Sequence, residues 1–269
     1  MEIDVSLLGA MAEARQFLAG FFDGDGTITL KRPATPAQHP RPYAALSQAY
    51  NSGVPPELVH VQSRWGGSML KSRGRTDKRR DTWMLSFDSA TTSTLLESVV
   101  ERHGISKRLE ARLALDYIHS ERANPQEAFD QLVAAKKDRQ DLDIDPERIT
   151  PAYLAGLFVA DGTVTLNRGL PFANIAAKRC IKLLRAIRDK LGYGTVYDYA
   201  GWIGFNSANA VAFLQMIRPH LPSCQKLPQL VLVLEHAGSS NAIRGKRKTP
   251  EEKEKAKTTL TELKRLKRL

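Results

Sequence analysis

The feature of this sequence that most constrains its fold is a fourteen-residue segment that occurs twice. Residues 17–30 and 153–166 are identical at nine of their fourteen positions, and a constant offset of 136 residues separates the two copies. In each copy an apolar run ends in Asp-Gly and leads directly into alternating polar and apolar residues, a pattern typical of a helix followed by a half-buried strand. The duplication therefore predicts two similar halves, each contributing one acidic residue to the same place.

The same order of sequence signals follows both copies and predicts the element order αββαββα in each half. Helices mixed with antiparallel hairpins favour an α+β fold over a parallel, doubly wound sheet. We expect an N-terminal half at 1–119, a helical linker at 120–149, a C-terminal half at 150–237, and a basic C-terminal tail with a helix at 238–269. The predicted helices are 13–24, 56–65, 126–139, 151–160 and 179–191. The predicted strands are 27–30, 43–49, 66–70, 83–87, 163–166, 172–176, 192–196 and 202–205.

The charge of the chain predicts a polyanionic partner. Its 269 residues include 40 Lys and Arg against 29 Asp and Glu, a net charge of +11, and such an excess attracts nucleic acid; a generally basic, solvated surface is the alternative. Cys180 and Cys224 lie far apart in unrelated contexts, so we expect reduced thiols and neither a disulfide framework nor a zinc site. The N-terminus lacks a secretory pattern, and no apolar run reaches about 18 residues. We therefore expect a soluble, intracellular protein of an organelle, the nucleus or a prokaryotic cytoplasm.

Small residues on both motif helices predict an unusually close helix pair. They are spaced four apart and therefore share one helical face. The four residues are Gly20, Gly24, Gly156 and Ala160. A face without side-chain bulk allows another backbone to approach. If the two faces pack together, the C-terminal ends of the helices lie side by side, and Asp25 and Asp161 approach each other.

Two carboxylates in that position are unfavourable unless a cation joins them. Each acid would lie at the negative end of a helix dipole, and neighbouring carboxylates repel, which raises the pKa of one of them. Mg²⁺ binds carboxylate and carbonyl oxygens and favours phosphate-bearing substrates. The sequence therefore predicts a magnesium site. The alternative is a duplicated core helix pair whose aspartates only cap turns.

The two segments resemble the paired signature of the LAGLIDADG homing endonucleases, in the single-chain form with two motifs, over approximately residues 13–237. In that family the motif helices join two αββαββα halves, each four-stranded sheet forms a saddle on DNA, and the last acid of each motif binds a divalent metal. The metal ligands that the resemblance implies are Asp25, Asp161 and the carbonyl groups of Gly24 and Ala160. Asp23 matches Val159 in the second copy and is therefore expected to be less essential.

The family also surrounds its metals with polar and basic residues, and the match to its lysine is uneven here. The lysine near the start of the last helix resembles Lys226. The strict match in the first half is Leu109, which Lys107 and Arg108 precede. Either the first half lacks this lysine or a neighbour replaces it.

Two further positions complete the catalytic set that the resemblance implies. A glutamine-like position after the second strand matches Asn51 and Lys178, and a basic position matches Lys182 in the second half but Pro55 in the first. Each cation has the alternative of being an ordinary surface charge. The implied catalytic residues are Asp25, Asp161, Lys226, Lys182, Lys178 and Asn51. The implied cofactor is two or more Mg²⁺ ions, for which Mn²⁺ substitutes.

Cations cluster in the second hairpin of the first half and are absent from its counterpart. Residues 70–83 contain six Lys and Arg residues, whereas 197–202 contain none, and the first hairpin of the second half is about nine residues shorter. Arg suits guanine edges and Lys suits phosphates, so we expect the first half and the tail at 245–248 to contribute more of the binding free energy. A solvated charged hairpin is the alternative. The predicted DNA-binding residues are Lys31, Arg32, Arg41, Gln48, Lys71, Arg73, Arg75, Lys78, Arg79, Arg80, Arg168, Lys246, Arg247 and Lys248.

Together these features predict a monomeric, sequence-specific, metal-dependent endonuclease. It would cut both strands of a long, nearly asymmetric double-stranded DNA target across the minor groove and leave staggered ends. The alternative is a non-cleaving binder on the same fold, either an intron RNA-splicing maturase or a DNA-binding regulator, which the shorter second half, Pro55 and Leu109 favour. A duplicated structural or interaction module would leave the cationic hairpin unexplained. No membrane partner is expected.

Overall fold

Two halves of the same architecture follow one another along the chain. The structure is a computed structural model that describes residues 5–32, 35, 39–50, 52–72, 81–120, 124–137, 139, 142–239 and 249–267. The first half consists of α1 (Val5–Asp25), β1 (Gly26–Lys31), β2 (Arg41–Ala49), α2 (Pro56–Trp65), β3 (Ser68–Ser72), β4 (Thr82–Ser86), α3 (Ser89–Leu95) with a π-helical extension (Leu96–Glu101), and α4 (Arg108–His119). The linker contains α5 (Pro125–Lys137) and a 3-10 turn (Pro146–Arg148). The second half and tail consist of α6 (Pro151–Asp161), β5 (Gly162–Asn167), β6 (Leu170–Ala176), α7 (Ile181–Leu191), β7 (Thr195–Tyr197), β8 (Trp202–Asn206), α8 (Ala208–Ile217), α9 (Leu227–Ser239) and α10 (Pro250–Leu266).

Both halves build an antiparallel, four-stranded sheet with the same strand order. The orders are β1-β2-β4-β3 and β5-β6-β8-β7. In β1 the side chains of Ile28 and Leu30 are buried among the helices, whereas Thr27, Thr29 and Lys31 lie on the opposite face because strand side chains alternate. The predicted α+β class, with two pseudo-symmetric αββαββα halves, is confirmed.

The two motif helices, α1 and α6, pack with their backbones in contact. A Cβ atom at Gly20 would lie 2.0 Å from the carbonyl oxygen of Tyr153, and one at Gly156 would lie 1.9 Å from the carbonyl oxygen of Phe17. Only glycine fits at these two positions. Every residue of 152–159 is buried, as expected for a helix that is apolar on all sides. The predicted close pairing of the motif helices is confirmed.

The closeness of α1 and α6 persists to their C-terminal ends. A Cβ atom at Gly24 would lie 2.2 Å from the Cβ of Ala160 and 3.0 Å from a carboxylate oxygen of Asp161. Each helix then passes directly into a strand at a glycine. A Cβ at Gly26 or Gly162 would lie 2.3 or 2.2 Å from the ring of the phenylalanine four residues earlier. The Asp-Gly ending therefore places both acids side by side and starts both sheets at the same level.

Some boundaries differ from the sequence prediction for identifiable reasons. Helix α1 begins at Val5 rather than at position 13, because the eight residues before that position are mostly apolar and compatible with a helix. Strands β3 and β7 begin at Ser68 and Thr195, after the glycines that were expected to start them. Gly67 and Gly194 have φ angles of +104° and +106°, which lie outside the strand region and favour glycine.

Two further helices lie against the halves. Linker helix α5 packs on α4 and β1, where Leu132 joins Leu30 and Tyr117 in a small buried cluster. Helix α10 packs on α9 and β5, and it begins with a capping box formed by Thr249 and Glu252. No helix in the described ranges is both long and apolar enough to cross a membrane.

Replacing Gly20 or Gly156 by alanine should destabilise the protein by about 3 kcal/mol or more, because the new methyl group would meet backbone atoms that cannot move without separating the helices. The measurement is the free energy of unfolding from urea titrations. Gly9→Ala in the same helix α1 is the matched control, since a Cβ there has nothing within 4 Å. That control should stabilise the protein by about 0.4–1 kcal/mol, and equal effects of Gly20→Ala and Gly9→Ala would contradict the packing described here.

Candidate active site

The two motif acids lie together where α1 and α6 end. Asp25 and Asp161 are the last residues of these helices and are partly buried. Burial and the neighbouring charge of Asp161 raise the pKa of Asp25 from its usual 3.8 to about 7. Burial likewise raises the pKa of Asp161. The predicted approach of the two carboxyl groups is therefore present, together with the repulsion that was expected from it.

A lysine lies at the C-terminal end of each motif helix. The Lys226 ammonium donates hydrogen bonds to the carbonyl oxygens of Phe158, Val159 and Ala160 at 2.9, 2.7 and 2.8 Å. The Lys107 ammonium donates to two carbonyl oxygens of α1, those of Phe22 and Gly24, at 2.5 and 2.9 Å. Cations are favourable at this end of a helix because its unpaired carbonyl groups carry partial negative charge.

Lys107 is thus the structural counterpart of Lys226 and is the neighbour that replaces the lysine at the strict sequence match, Leu109. Each lysine is the residue immediately before the last helix of its half's core, since α4 begins at Arg108 and α9 begins at Leu227. Leu109 lies one residue inside α4 and is 38% exposed. The position relative to the helix start, rather than the spacing within an ungapped alignment, was the signal that could have identified Lys107.

Asp23 holds the segment that carries Lys107. Its buried carboxylate accepts hydrogen bonds from the backbone amides of Ile105, Ser106 and Lys107 at 2.7, 3.0 and 2.9 Å. It also accepts one from the hydroxyl of Tyr153, on the other motif helix, at 2.7 Å. Asp23 therefore fixes the position of the lysine at the end of α1, a structural role that was not predicted from the sequence.

A different residue holds the corresponding segment of the second half. Glu57, on α2 of the first half, is 2% exposed. Its carboxylate accepts from the backbone amide of Gln225 at 3.3 Å and from the Gln225 side-chain amide at 3.0 Å. Burial raises the pKa of Glu57. Because Gln225 directly precedes Lys226, this contact anchors the second lysine from the opposite half, which the sequence analysis did not find.

Gln48 lies at the acid pair rather than on the exposed sheet face. Its side-chain amide donates a hydrogen bond to a carboxylate oxygen of Asp25. Alternation along β2 places Gln48 on the same side as buried Leu46, a signal that was readable from the sequence. The sheet register pairs Gly26 with Leu46, and Gly162 with Ile175. The second-half equivalent of Gln48 is therefore Ala177, which has no side-chain donor.

A cleft of about 460 Å³ opens beside Asp161, between the two halves. Its charged lining residues are Asp23, Lys107, Glu110, Lys136, Arg139, Asp161, Lys178 and Arg179. Cations outnumber acids there, which suits a phosphate group. Lys178 thus lines the same cleft as Asp161, and its catalytic role stays a prediction. Lys182 is exposed on α7 and lines a different, shallow pocket with linker residues 142–144, so its position does not support the predicted role.

The described members of the predicted DNA-binding set are dispersed over the first sheet and the hairpins. Lys31 and Arg41 are paired in register and exposed. Arg32 lies over the ring of Phe129 on α5, with its guanidinium carbon 5.4 Å from the ring centroid. Arg168 occupies the β5–β6 turn with φ +51°. The predicted residues that lie outside the described ranges are Asn51, Arg73, Arg75, Lys78, Arg79, Arg80, Lys246, Arg247 and Lys248.

Lys71 does not lie on the sheet face that carries Lys31 and Arg41. The register pairs Lys71 with Trp83 and places it two residues from the partner of buried Leu85, so it shares their face. Its ammonium forms an ion pair with Asp81 at 2.6 Å. Lys71 was predicted to bind DNA as part of the cationic second hairpin, and its place on the other face of the sheet, paired with Asp81, does not support that role.

The acid pair fits the predicted metal site. The available oxygen ligands are the carboxylates of Asp25 and Asp161 and the carbonyl groups of Gly24 and Ala160. Each carbonyl accepts from a lysine, but a carbonyl oxygen has two lone pairs and can accept one further contact. Burial raises the pKa of both carboxyl groups and repulsion from Asp161 further raises that of Asp25, and a divalent cation would favour the charged form of both. Within the described residues, no group of three or more His, Cys, Asp or Glu is placed to hold a metal ion, so the acid pair would rely on carbonyl oxygens for its further ligands.

The comparisons with known proteins identify the fold. No protein-family model and no curated protein matches the chain. Among solved structures, I-SmaMI bound to uncleaved DNA in the presence of calcium ions is 14% identical with a TM-score of 0.59, covering 92% of this chain and 97% of that one. The LAGLIDADG meganuclease I-AabMI bound to uncleaved DNA is 14% identical with a TM-score of 0.62, covering 92% and 98%. The LAGLIDADG homing endonuclease I-GzeII in complex with its DNA target is 10% identical with a TM-score of 0.60, covering 91% and 96%. The resemblance is confirmed at the level of the fold, which is that of the LAGLIDADG homing endonucleases.

Asp25→Asn is expected to stabilise the metal-free protein at pH 8. The pKa of Asp25 is about 7 in the folded state, so the stability that this carboxyl group contributes is present below about pH 4 and lost as the pH rises to about 7. With a chelator present, the difference in unfolding free energy between variant and parent should be largest at pH 8 and shrink as the pH falls from 7 to 4. Asp189→Asn, at an exposed position, is the control, and a difference for Asp25→Asn that ignores pH would contradict this account.

Tyr153→Phe should lower the free energy of unfolding by about 2 kcal/mol, because it removes a hydrogen bond from a buried carboxylate. Asp23 would keep its three backbone donors, so we expect the variant to fold. Tyr199→Phe is the matched control, since that side chain is 88% exposed and its hydroxyl is free to bind water. Urea titrations measure both, and a loss of equal size in the control would show that the Tyr153–Asp23 bond is not responsible.

Proposed function

We propose that this protein is a sequence-specific DNA endonuclease that requires divalent cations and cuts both strands of its target. The observation that carries the proposal is the pair of carboxylates at the junction of the halves, each accompanied by a lysine at the end of its helix. The structural neighbours whose fold this chain shares were solved with DNA, which supports DNA as the substrate. Because one chain supplies both acids, we place the activity in a monomer.

Asp25 and Asp161, with the carbonyl groups of Gly24 and Ala160, would hold the cations. A bound divalent cation would lower the pKa of a water molecule and stabilise the leaving oxygen of the phosphodiester. We propose Mg²⁺ as the physiological ion, with Mn²⁺ as a substitute. The calcium ions named for I-SmaMI support a divalent cation at this kind of site.

The lysines act on the charge that develops at phosphorus. Burial lowers the pKa of Lys107 to about 8 and also lowers that of Lys226, while their contacts with helix carbonyls hold each ammonium group in one position. A fixed cation beside the scissile phosphate stabilises the transition state without reorganisation. Gln48 orients one carboxylate oxygen of Asp25, and Lys178 is placed to bind a phosphate in the cleft beside Asp161.

The non-cleaving alternative has lost part of its support. It drew on Leu109 as a sign that the first half lacks its lysine, and Lys107 occupies that place in the structure. Both acids and both lysines are therefore present in one site. A regulator or maturase that only binds nucleic acid would have no use for two carboxylates held together at a raised pKa.

Asp25→Asn and Asp161→Asn should each abolish cleavage and leave DNA binding intact. Lys107→Met and Lys226→Met should each slow cleavage about 10²–10³-fold, as loss of one charge-stabilising group does. Asp189→Asn and Lys190→Met are exposed, charge-matched controls and should cut at the parent rate. The measurement exposes a randomised duplex library to the protein in Mg²⁺ and sequences both the cut ends and the bound fragments.

Two outcomes of this experiment would contradict the proposal. Undiminished cutting by both aspartate variants would show that the acid pair is not the active site. Enrichment of bound fragments without any breaks in Mg²⁺ or Mn²⁺ would favour a DNA-binding regulator, and failure to enrich any duplex would direct the search to RNA.

A further inference from the structure

The outer face of the second sheet, which faces away from the helices, consists of uncharged residues. Residues opposite each other in antiparallel strands share a face, and the register pairs Thr165 with Phe172 and Thr163 with Asn174. Val164 alternates with the two threonines and is buried on the other side. The strand residues of this outer face are Thr163, Thr165, Asn167, Leu170, Phe172, Asn174, Ala176, Thr195, Tyr197, Trp202, Gly204 and Asn206.

Three aromatic rings form a cluster across β6, β7 and β8 on this face. The Tyr197 ring stacks on the Trp202 indole with centroids 4.0 Å apart and an interplanar angle of 28°. Phe172 meets the indole edge-on at 6.0 Å and 83°. The indole lies along its strand over Gly204, where a Cβ would come within 2.4 Å of the ring. All three rings are partly exposed, so they present an apolar surface to whatever covers the sheet.

The equivalent face of the first sheet carries cations instead. Lys31 and Arg41 are directly opposite each other and exposed, and the Lys31 ammonium lies 5.9 Å from the centroid of the Tyr43 ring. The strand residues listed above for the second outer face include neither Lys nor Arg. The nearest cation along that hairpin is Arg168, in its turn. The two sheets therefore offer different chemistry to a DNA target.

We propose that the second half recognises an A·T-rich half-site, with thymine methyl groups against the aromatic cluster and adenine edges hydrogen-bonded to the asparagines. This inference rests on the proposed function, in which the sheets lie on duplex DNA. A two-stranded β-ribbon fits the major groove, where thymine presents its C5-methyl group to apolar and Thr side chains and adenine presents N6 and N7 to Asn. Guanine is read chiefly by Arg or Lys, which suits the Lys31–Arg41 pair of the first sheet.

The packing of the rings favours duplex DNA over a single strand. A surface that binds unpaired bases offers a free aromatic face for each base to stack on. Tyr197 already covers one face of the Trp202 indole, and Phe172 points its ring at the indole edge-on. A cluster packed against itself in this way is suited to methyl contacts along a groove rather than to intercalating stacks.

The test begins with the site selected from the randomised library and the full-length protein. Repeating the selection with Asn174→Ala should relax base preference at positions in one half only, which assigns that half to the second sheet. Lys31→Ala is the control from the other sheet and should relax preference in the opposite half. The sequence assigned to the second sheet should be rich in A·T pairs.

Deoxyuridine then tests the methyl contacts without altering the protein. Replacing thymine by deoxyuridine removes only the C5-methyl group. In the second half-site, binding measured in Ca²⁺ should weaken about fourfold for each contacted methyl, the factor for one buried methyl group. The same replacement in the first half-site should leave the Kd unchanged. In the Phe172→Ala variant, replacing the thymine that Phe172 contacts by deoxyuridine should not weaken binding further, because the variant has already lost that methyl contact.

The outcomes separate this inference from the proposed function. A duplex that is bound and cut, but whose assigned half-site is G·C-rich or indifferent to deoxyuridine, would overturn the inference and leave the endonuclease proposal standing. Failure to bind any duplex would overturn both. If the protein bound single-stranded RNA more tightly than duplex DNA, and Phe172→Ala removed that binding, the aromatic cluster would be a surface for base stacking. That result would overturn the proposed recognition of thymine methyl groups.

Discussion

The contact between α1 and α6 is the constraint on which the rest of the structure depends. At Gly20 and Gly156 each helix occupies the space that a side chain of the other would need, with would-be Cβ atoms within 2.0 Å of carbonyl oxygens. This separation fixes the distance between the two halves and brings both helix ends to one level. The sheets begin one residue later, so the acid pair and the two sheet surfaces have their positions set by the same contact.

The close approach of the two helix ends is electrostatically unfavourable, and lysines from two other segments of the chain partly offset the negative charge. Two carboxylates and two sets of unpaired carbonyl groups converge at the helix ends, all of them negative. Lys107 and Lys226 reach this point from the segments before α4 and α9 and donate to the carbonyl groups of both helices. Even so, the pKa of Asp25 remains near 7, so the lysines compensate the site only in part. The negative charge that they leave uncompensated would favour the binding of a cation.

Local patterns predicted most of the fold, whereas contacts between distant segments escaped prediction. The duplicated segment, the strand alternation and the small-residue spacing are all signals within a few residues, and the architecture, the helix pair and the approach of Asp25 to Asp161 followed from them. The sequence left open whether a neighbour of Leu109 supplies the first lysine, because loops of unequal length break an ungapped alignment, and the structure identifies Lys107 as that neighbour. The bonds of Asp23 span 82 to 130 residues, and nothing near it in sequence indicates its partners. Gln48 was predicted only to bind DNA, although alternation from Leu46 would have placed it on the side of the sheet where it contacts Asp25.

The segments that carry Lys107 and Lys226 are each held by contacts that involve both halves. This dependence limits how the two halves could be separated or exchanged. Asp23 accepts a hydrogen bond from the hydroxyl group of Tyr153 in the second half. Glu57, in the first half, accepts hydrogen bonds from the amides of Gln225. A valine and a phenylalanine occupy the positions equivalent to Asp23 and Tyr153, so the bond has no mirror image. A chimera that joined the first half to a foreign second half would keep its sheet but leave the buried carboxylates of Asp23 and Glu57 short of a donor. The duplication thus extends to the backbone, the acid pair and the two lysines, whereas the residues that anchor the lysine segments differ between the halves and pair each half with the other.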